Sequence, residues 1–437
     1  MRLPPAIINN TEEVLREILR FTGPADSTLS RYFRDHTRLG SRERGVVAEA
    51  VYGLLRNKSV YTSFAESGNG PTMRRMTLLG LADAVGVDAL GGLTEEETAW
   101  LNHVMQIDRT LLPALLRSNL PQWLFDKLVA RDGEEATLEL AYAMNQPAPL
   151  DLRVNAIKAT REDVMKELAQ APILCEPTPF APLGIRIIKK PALQNLPLFK
   201  SGAIEVQDEG SQLLSQIVGA KRGEMVVDFC AGAGGKTLAL GATMRNTGRL
   251  YAFDISEKRL AKLKPRLARS GLSNVHPVQI AHENDSKVKR LAGKIDRVLV
   301  DSPCSGLGTL RRNPDVKWRQ TPQSLVELNE KQASILTGAA RLVKAGGRLV
   351  YATCSILDEE NEAIVEQFLA GREDFVLVPM SAVLAEQKIA LDMDKYLKLS
   401  PSKHHTDGFF AAVLERKTIT QNQGVQNEAE PAVDDLG

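Results

Sequence analysis

The sequence predicts an α/β protein: a Rossmann-like domain with a mainly parallel sheet, preceded by a small α+β segment and an all-helical N-terminal region. From about Ser211 the short apolar runs "EMVVDF", "RLYAFD", "VHPVQIA", "DRVLVD" and "GRLVYAT" alternate with helical stretches at 256–269, 322–343 and 358–370. Nearly all-apolar strands separated by helices belong to parallel sheets covered on both faces. Before them, residues 1–145 carry apolar residues at three-and-four spacing, with no convincing strand alternation. At 437 residues the chain is also longer than one ordinary core serves.

Taken in order, "TEEVLREILRFT", "STLSRYFRDH", "SRERGVVAEAVYGLLRNKSV" and "PQWLFDKLVA" predict amphipathic helices with polar starts. The proline-containing break "MNQPAPLDLRVN" marks a boundary. A mixed section at 146–210 follows, with an extended "LDLRVN", a helical "TREDVMKELAQ" and a short extended "GIRIIKK". The regular strand–helix alternation occupies 211–417. The polar, acidic and aperiodic tail at 418–437 is expected to be disordered.

Composition fits a globular protein, with 43% hydrophobic and 25% charged residues and no apolar run long enough for a membrane helix. The first twenty residues hold early prolines and two acids and lack a cleavage-site pattern, so no signal peptide and a cytoplasmic location are expected. A monomer without membrane association is expected. The net charge of +1 hides basic clusters in "EKRLAKLKPRLAR", "KVKR" and "RRNPDVKWR", which point to RNA contact. Trp318, in the last of them, is a candidate for stacking on a base. Cys175, Cys230, Cys304 and Cys354 form no C-x-x-C pair and the histidines lack zinc spacing, so no metal site or disulfide framework is expected. His404 and His405 read as polar loop residues.

After the first strand of the alternating section comes "VDFCAGAGGKTLALGA", a glycine turn that opens a helix near Lys236. Glycines let the backbone approach a ligand, and the helix N-terminus presents free N–H groups to it. Two readings fit. "GGKT" ends like a P-loop, but the position five before Gly235 is Cys230 where that pattern requires glycine. The other is a nucleoside-cofactor site, in which Asp254, at the end of "LYAFD", accepts bonds from ribose hydroxyls. Asp254 could equally cap the following helix.

Cys304 ends "DRVLVDSPC" and Cys354 ends "GRLVYATC", fifty positions on, so both thiols fall at carboxyl ends of predicted parallel strands, where such sheets bind ligands. Two cysteines and an acid, Asp301, suit methylation at carbon 5 of a pyrimidine. That reaction needs a soft, reversible nucleophile for carbon 6, a donor to the ring's N3, and a base.

The runs "DSPCSGLGTLRRNPDVKW", "YATCSILDEENEAIVEQFL", "CAGAGGKT" and "VQDEGSQLL" resemble the RNA cytosine-5 methyltransferases of the Sun/RsmB type and their eukaryotic nucleolar counterparts. The resemblance covers roughly 145–416, ending in "TDGFFAAVLER". A weaker likeness in "LGSRERGVVAEAVYGLLR" and "PQWLFDKL" points to a NusB-like RNA-binding domain over 1–145. The resemblance implies S-adenosyl-L-methionine as cofactor and an RNA cytosine, most often in small-subunit ribosomal RNA, as substrate. It implies Cys354 as the nucleophile, Cys304 as the cysteine that helps release product, and Asp301 as the acid touching both cytosine and cofactor. Around the cofactor it implies Cys230, Ala231, Gly232, Ala233, Gly234, Gly235 and Lys236, together with Asp254, Arg259 and Asp285. The common family loop has alanine and proline where Gly232 and Ala233 stand here, an exchange that leaves a more flexible turn. The helix expected at 358–370 would favour a Cys354 thiolate through its dipole, while Asp358, Glu359 and Glu360 would oppose it.

Overall fold

The computed structural model describes residues 2–189 and 191–418, so the tail expected to be disordered lies, apart from Thr418, outside the described residues. The N-terminal region is helical as expected. Helices Ala6–Ile18, Ala25–Asp35, Ser41–Arg56, Lys58–Glu66, Thr72–Val85 and Glu95–Met105 bury one core around Leu15, Val47, Leu54, Tyr61, Leu78 and Leu101. The stretch 41–60 divides at Asn57, whose side-chain amide donates to the Gly53 carbonyl at 3.1 Å. Such a side chain competes with the helix for its own backbone acceptors.

Helices Gln122–Asp132 and Glu134–Asn145 belong elsewhere. Leu124, Leu128, Leu140 and Met144 share a core with Leu307, Leu310, Val316, Leu325 and Leu357 of the C-terminal region. The expected 1–145 unit therefore contains two cores, the second built jointly with the strand–helix section.

The middle section forms a four-stranded antiparallel sheet from β1 (Leu150–Val154), β2 (Cys175–Pro177), β3 (Gly184–Ile187) and β4 (Ile204–Val206), ordered β2-β3-β1-β4. Helix Arg161–Gln170 covers one face through Val164 and Leu168.

The main sheet contains β5 (Met225–Asp228), β6 (Arg249–Asp254), β7 (Val275–Gln279), β8 (Ile295–Asp301), β9 (Val343–Thr353), β10 (Phe375–Val378), β11 (Leu397–Leu399) and β12 (Phe409–Arg416). Its order is β10-β12-β9-β8-β5-β6-β7, with β11 beside β12. The strands β5 to β9 pair in parallel, and β12 runs antiparallel to β9, β10 and β11. One face packs on helices Glu209–Ile217, Gly235–Thr243, Glu257–Ser270 and Met380–Glu386, the other on Pro322–Ala340 and Glu362–Ala370. From β5 the chain lays β6 and β7 to one side and then crosses back to lay β8 and β9 on the other. The reversal opens a crevice at the carboxyl ends of β5 and β8, the place where open α/β sheets take ligands.

The cluster "RRNPDVKWR" has a different role from the RNA contact expected of it. Trp318 packs against the N-terminal core and donates its indole N–H to the Leu55 carbonyl at 2.9 Å, with the Lys58 ammonium 4.6 Å from the ring centroid. Lys317 is fully buried and donates to Asn145 Oδ1 at 2.8 Å and to the Arg56 carbonyl at 3.2 Å. Burial holds its ammonium well below the usual lysine range, and the neighbouring charges of Arg56 and Lys58 add to this. Arg311 donates to the carbonyls of His405 and Thr406, and Arg312 to Asp208 and Asp407. The cluster joins the sections of the chain, and its charge is engaged in that task. An amphipathic pattern does not separate a wet face from a face buried against another domain, so the sequence alone favoured the wrong partner.

Candidate active site

The turn between β5 and helix Gly235–Thr243 is set by its glycines. Gly232 has φ +56° and Gly234 φ +81°, and a Cβ on Gly234 would lie 2.2 Å from Leu263 Cδ1. The departure from the family's alanine thus falls on a position in the left-handed region, where glycine is unstrained. A Cβ at Gly232 would meet nothing within 4 Å, so the space above the turn is open. Asp254 Oδ2 accepts the Gly232 N–H at 2.8 Å and Oδ1 accepts the Ser256 N–H at 2.7 Å. Ser256, not Asp254, caps the next helix, accepting the Arg259 N–H at 3.3 Å. Arg259 pairs with Asp254 at 3.0 Å.

Two arginines without a sequence signal of their own brace this turn from behind. Arg266 donates to the Ala233 carbonyl at 2.8 Å, and Arg153, from β1, donates to the Gly235 carbonyl at 2.7 Å. Glu205, on β4, holds Arg266 at 3.0 Å and Arg269 at 2.5 Å. The small sheet therefore grips the loop directly. This also corrects the expectation for "EKRLAKLKPRLAR": Arg259, Arg266 and Arg269 are committed to carboxylates, whereas Lys258, Lys262 and Lys264 are exposed.

Asp285 stands where expected, just beyond β7, but it works as a helix cap. Its oxygens accept the Lys287 and Ala281 N–H groups, each at 2.8 Å, and these bonds hold its carboxyl below the usual range. Cys230 packs partly buried against the core of Phe229 and Val300, and its thiol is raised above its usual range by burial and then by the charges of Asp301 and Asp228. His404 accepts the Ser400 N–H at 3.0 Å and meets the Phe180 ring edge-on, a loop-stabilising role.

Asp228, buried at the end of β5, accepts the Thr237 hydroxyl at 2.6 Å through Oδ2, while Oδ1 is buried without a partner. Burial pushes its carboxyl up to about 7, against the Thr237 bond, and Asp301 and Asp254 contribute to the rise. Between its ordinary value near 3.8 and about 7 the folded chain keeps a proton that the unfolded chain releases, so stability falls as pH rises through that window. Asp228→Asn removes this loss. Thermal unfolding of the two proteins should coincide near pH 4 and diverge toward pH 8. There the variant should be the more stable by roughly 1–3 kcal/mol, since each tenfold change in a protonation equilibrium is worth about 1.4 kcal/mol. An equal gap at all pH values would contradict the assignment.

The two strand-end thiols meet. Cys304 Sγ and Cys354 Sγ are 3.3 Å apart, and both side chains are partly exposed. Backbone contacts fix this approach: the Gly308 N–H donates to the Cys354 carbonyl at 2.9 Å and the Gly408 N–H to the Gly308 carbonyl at 2.8 Å. A Cβ at Gly308 would sit 2.1 Å from the Gly408 oxygen, so no larger residue fits. The Cys304 thiol is pushed well above its usual range, first by its hydrogen bond to Cys354, then by burial and by the charges of Cys354 and Glu360. Beside the pair, Lys236 Nζ donates to Asp301 Oδ2 at 2.7 Å. Burial works against the Lys236 charge, but Asp301 outweighs it and holds the ammonium above its ordinary value.

The helix-dipole argument for Cys354 does not hold. Residues 358–360 form a short 3₁₀ turn and the α-helix starts only at Glu362. Asp358 and Glu359 turn to Arg131 and Lys127, while Glu360 is buried beneath the site.

A sheet that reverses between β5 and β8, a glycine turn with open space above it, and acids at the ends of β5, β6 and β8 together define a Rossmann-like domain with a nucleoside-cofactor crevice. Residues 215–415 match the family model described as 16S rRNA methyltransferase RsmB/F, and 120–194 match the ferredoxin-like domain of RsmF/B-like methyltransferases. The probable ribosomal RNA small subunit methyltransferase B of a Synechocystis species is 32% identical, over 92% of this chain and 98% of its own. Among solved structures, a methyltransferase homolog protein from Pyrococcus horikoshii is 30% identical with a TM-score of 0.61, covering 71% of this chain and all of that one. NSun6 from the same organism, solved with SFG, shares the fold at 21% identity and a TM-score of 0.60, over 68% of this chain and 98% of that one. The chain belongs to the ribosomal RNA small subunit methyltransferase B family, and it is an rRNA methyltransferase.

Proposed function

We propose that this enzyme methylates carbon 5 of a cytosine in small-subunit ribosomal RNA through a covalent adduct between Cys354 and carbon 6. The observation that carries the reading is the 3.3 Å approach of Cys304 and Cys354 beside the Lys236–Asp301 pair. Carbon 5 of cytosine is a poor nucleophile until a soft nucleophile adds at carbon 6 and breaks the ring's conjugation. Cys354 matches the family's nucleophile position, with Cys304 as the second thiol 3.3 Å away. Asp301 has only Oδ2 engaged by Lys236, which leaves Oδ1 to accept a hydrogen bond from the cytosine N4 amino group. Once carbon 5 has taken the methyl group, a base removes its proton, the C5–H electron pair re-forms the C5–C6 double bond, and the C6–S bond breaks to release the Cys354 thiolate, with the Cys304 thiol as the neighbouring proton donor.

The residues present fit the cofactor. Gly232 to Lys236 would hold its methionine portion against the first turn of helix Gly235–Thr243, whose leading N–H groups have no helical acceptor. Asp254 and Arg259 would meet the ribose, and the half-exposed Ile255 the adenine. Asp285 would contribute to the adenine end only through lone pairs left over from capping. When bound, S-adenosylmethionine supplies a methyl group on a sulfonium. The target base would leave its stack to reach the crevice, and the exposed Lys258, Lys262 and Lys264 lie on the outer face of helix Glu257–Ser270 for the surrounding RNA.

The P-loop alternative loses its support. The Thr237 hydroxyl that would bind magnesium donates to Asp228 instead, and among the described residues no acid or histidine cluster suited to a metal occurs. The test is bisulfite mapping of small-subunit rRNA from cells with and without the gene, repeated with purified enzyme and S-adenosylmethionine. One cytosine should lose its methylation in the deletion and regain it in vitro. An unchanged rRNA map would rule out the proposal.

A further inference from the structure

Each cysteine opens the same short turn, "CSGL" at 304–307 and "CSIL" at 354–357. In both, the serine hydroxyl accepts the N–H two residues on, Leu307 at 3.4 Å and Leu357 at 3.1 Å. In both, the leucine is buried in the core shared with helices Gln122–Asp132 and Glu134–Asn145. The two turns are thus mirrored devices, and one carboxylate lies between them. Glu360 is fully buried. Its Oε1 accepts the Ser305 N–H at 2.7 Å and the Gln332 amide at 3.0 Å, and its Oε2 accepts the Ser305 hydroxyl at 2.5 Å and the Ser355 hydroxyl. Four donors fill the acceptor capacity of a carboxylate, which is what makes a buried charge tolerable. Gln332 donates also to the Pro303 carbonyl at 3.0 Å, and Tyr351 donates to the carbonyl of Glu360 itself at 2.6 Å. Neither substrate nor cofactor can touch a side chain enclosed in this way.

We propose that Glu360 is a positioning residue that holds the two cysteine turns in register, acting on Cys304 through Ser305 and on Cys354 through Ser355, and so serves both the release and the addition step. This rests on the roles given to the two cysteines above. The clamp is divisible. The two hydroxyls touch at 3.3 Å, but each closes only its own turn, on the Leu307 or the Leu357 N–H, so losing one loosens chiefly the turn of its own cysteine. A generic fold-stabilising network would slow both steps together, whereas this one predicts opposite signatures.

The experiment uses the full chain with an rRNA transcript and S-adenosylmethionine, following the covalent protein–RNA species on denaturing gels in single turnover. Ser305→Ala should form the adduct at close to the normal rate but resolve it on the order of tenfold more slowly. Ser355→Ala should form it on the order of tenfold more slowly and resolve it normally, both effects being smaller than the roughly hundredfold that a misplacement of about 1 Å can cost a reacting group. Glu360→Gln, which replaces one acceptor oxygen by a donor, should slow both steps. Serine variants that slow the same step equally, or that match the parent protein, would overturn the inference, and they decide it even where Glu360→Gln does not fold. Cys304→Ala and Cys354→Ala run alongside. If these behave as assigned while the serine variants do not separate, only the positioning role falls; if Cys354→Ala still forms adduct, the underlying reading falls instead.

Discussion

Cys354→Ala should yield neither methylated RNA nor a covalent complex, whereas Cys304→Ala should accumulate a protein–RNA adduct that denaturing gels resolve. The expectation comes from the asymmetry of the pair. Both sulfurs sit at the ends of neighbouring parallel strands and touch each other, and the site raises the Cys304 thiol well above its usual range, which suits it to the release step. Removing a covalent nucleophile costs a hydrolase up to about 10⁶ in rate, so Cys354→Ala should fall to background, a loss of at least roughly 10³-fold. Removing Cys304 leaves the attacking sulfur and the methyl-transfer geometry in place and withdraws help only from the last step. Total adduct should therefore rise while product falls. Equal loss of adduct in both variants would refute the assignment of roles.

Asp301→Asn should reduce single-turnover methylation by about 10²–10³-fold, the usual cost of losing one preorganised electrostatic partner at a reacting centre. The substitution keeps the shape and the hydrogen bond to Lys236 but removes the charge that holds the ammonium above its ordinary value. Lys236 then becomes a cation in a buried site without a counter-charge, and its burial favours the neutral amine. The pH profile of the variant should accordingly shift on its alkaline side toward lower pH. Lys236→Met should show a similar loss, and the double variant should be little worse than either single one, because the two side chains act as a unit. A rate within about threefold of the parent for Asp301→Asn, far inside the range expected for a reacting-centre partner, would show that the pair is structural.

The catalytic sheet was legible because its signal is local. Nearly all-apolar strands at regular spacing predicted β5 to β9 in order, and the strand ends then placed Asp301, Cys304 and Cys354 together. The glycine turn and Asp254 were legible for the same reason. Glu360 was visible only as one of three acids at a supposed helix start. Its role depends on a 3₁₀ turn that folds it inward while Asp358 and Glu359 point to Arg131 and Lys127. Arg153 was missed and Arg266 was assigned to RNA because their partners are backbone carbonyls of a distant loop, which leave no mark on the pattern around the arginines. Trp318 and the arginines of "RRNPDVKWR" were assigned to RNA because charge beside an aromatic has the same signature whether it meets a nucleic acid or another domain. The strand β12 could have been found from the apolar run "FFAAVL", which puts Gly408 against Gly308 behind the thiols.

The paired leucines behind the cysteine turns limit how this protein can be divided. Leu307 and Leu357 are fixed to their cysteines by a three-residue spacing, and both are sealed by residues between Leu120 and Met144. A fragment that began at the glycine loop would retain every reacting group and lose the wall against which the two turns are seated. The chemistry is therefore not a cassette carried by the strand–helix section alone. Separating the strand–helix section from the helical pair at 122–145 would unseat both turns at once. The helical pair at 122–145, assigned by its sequence pattern to the N-terminal region, is by its packing the back wall of the active site.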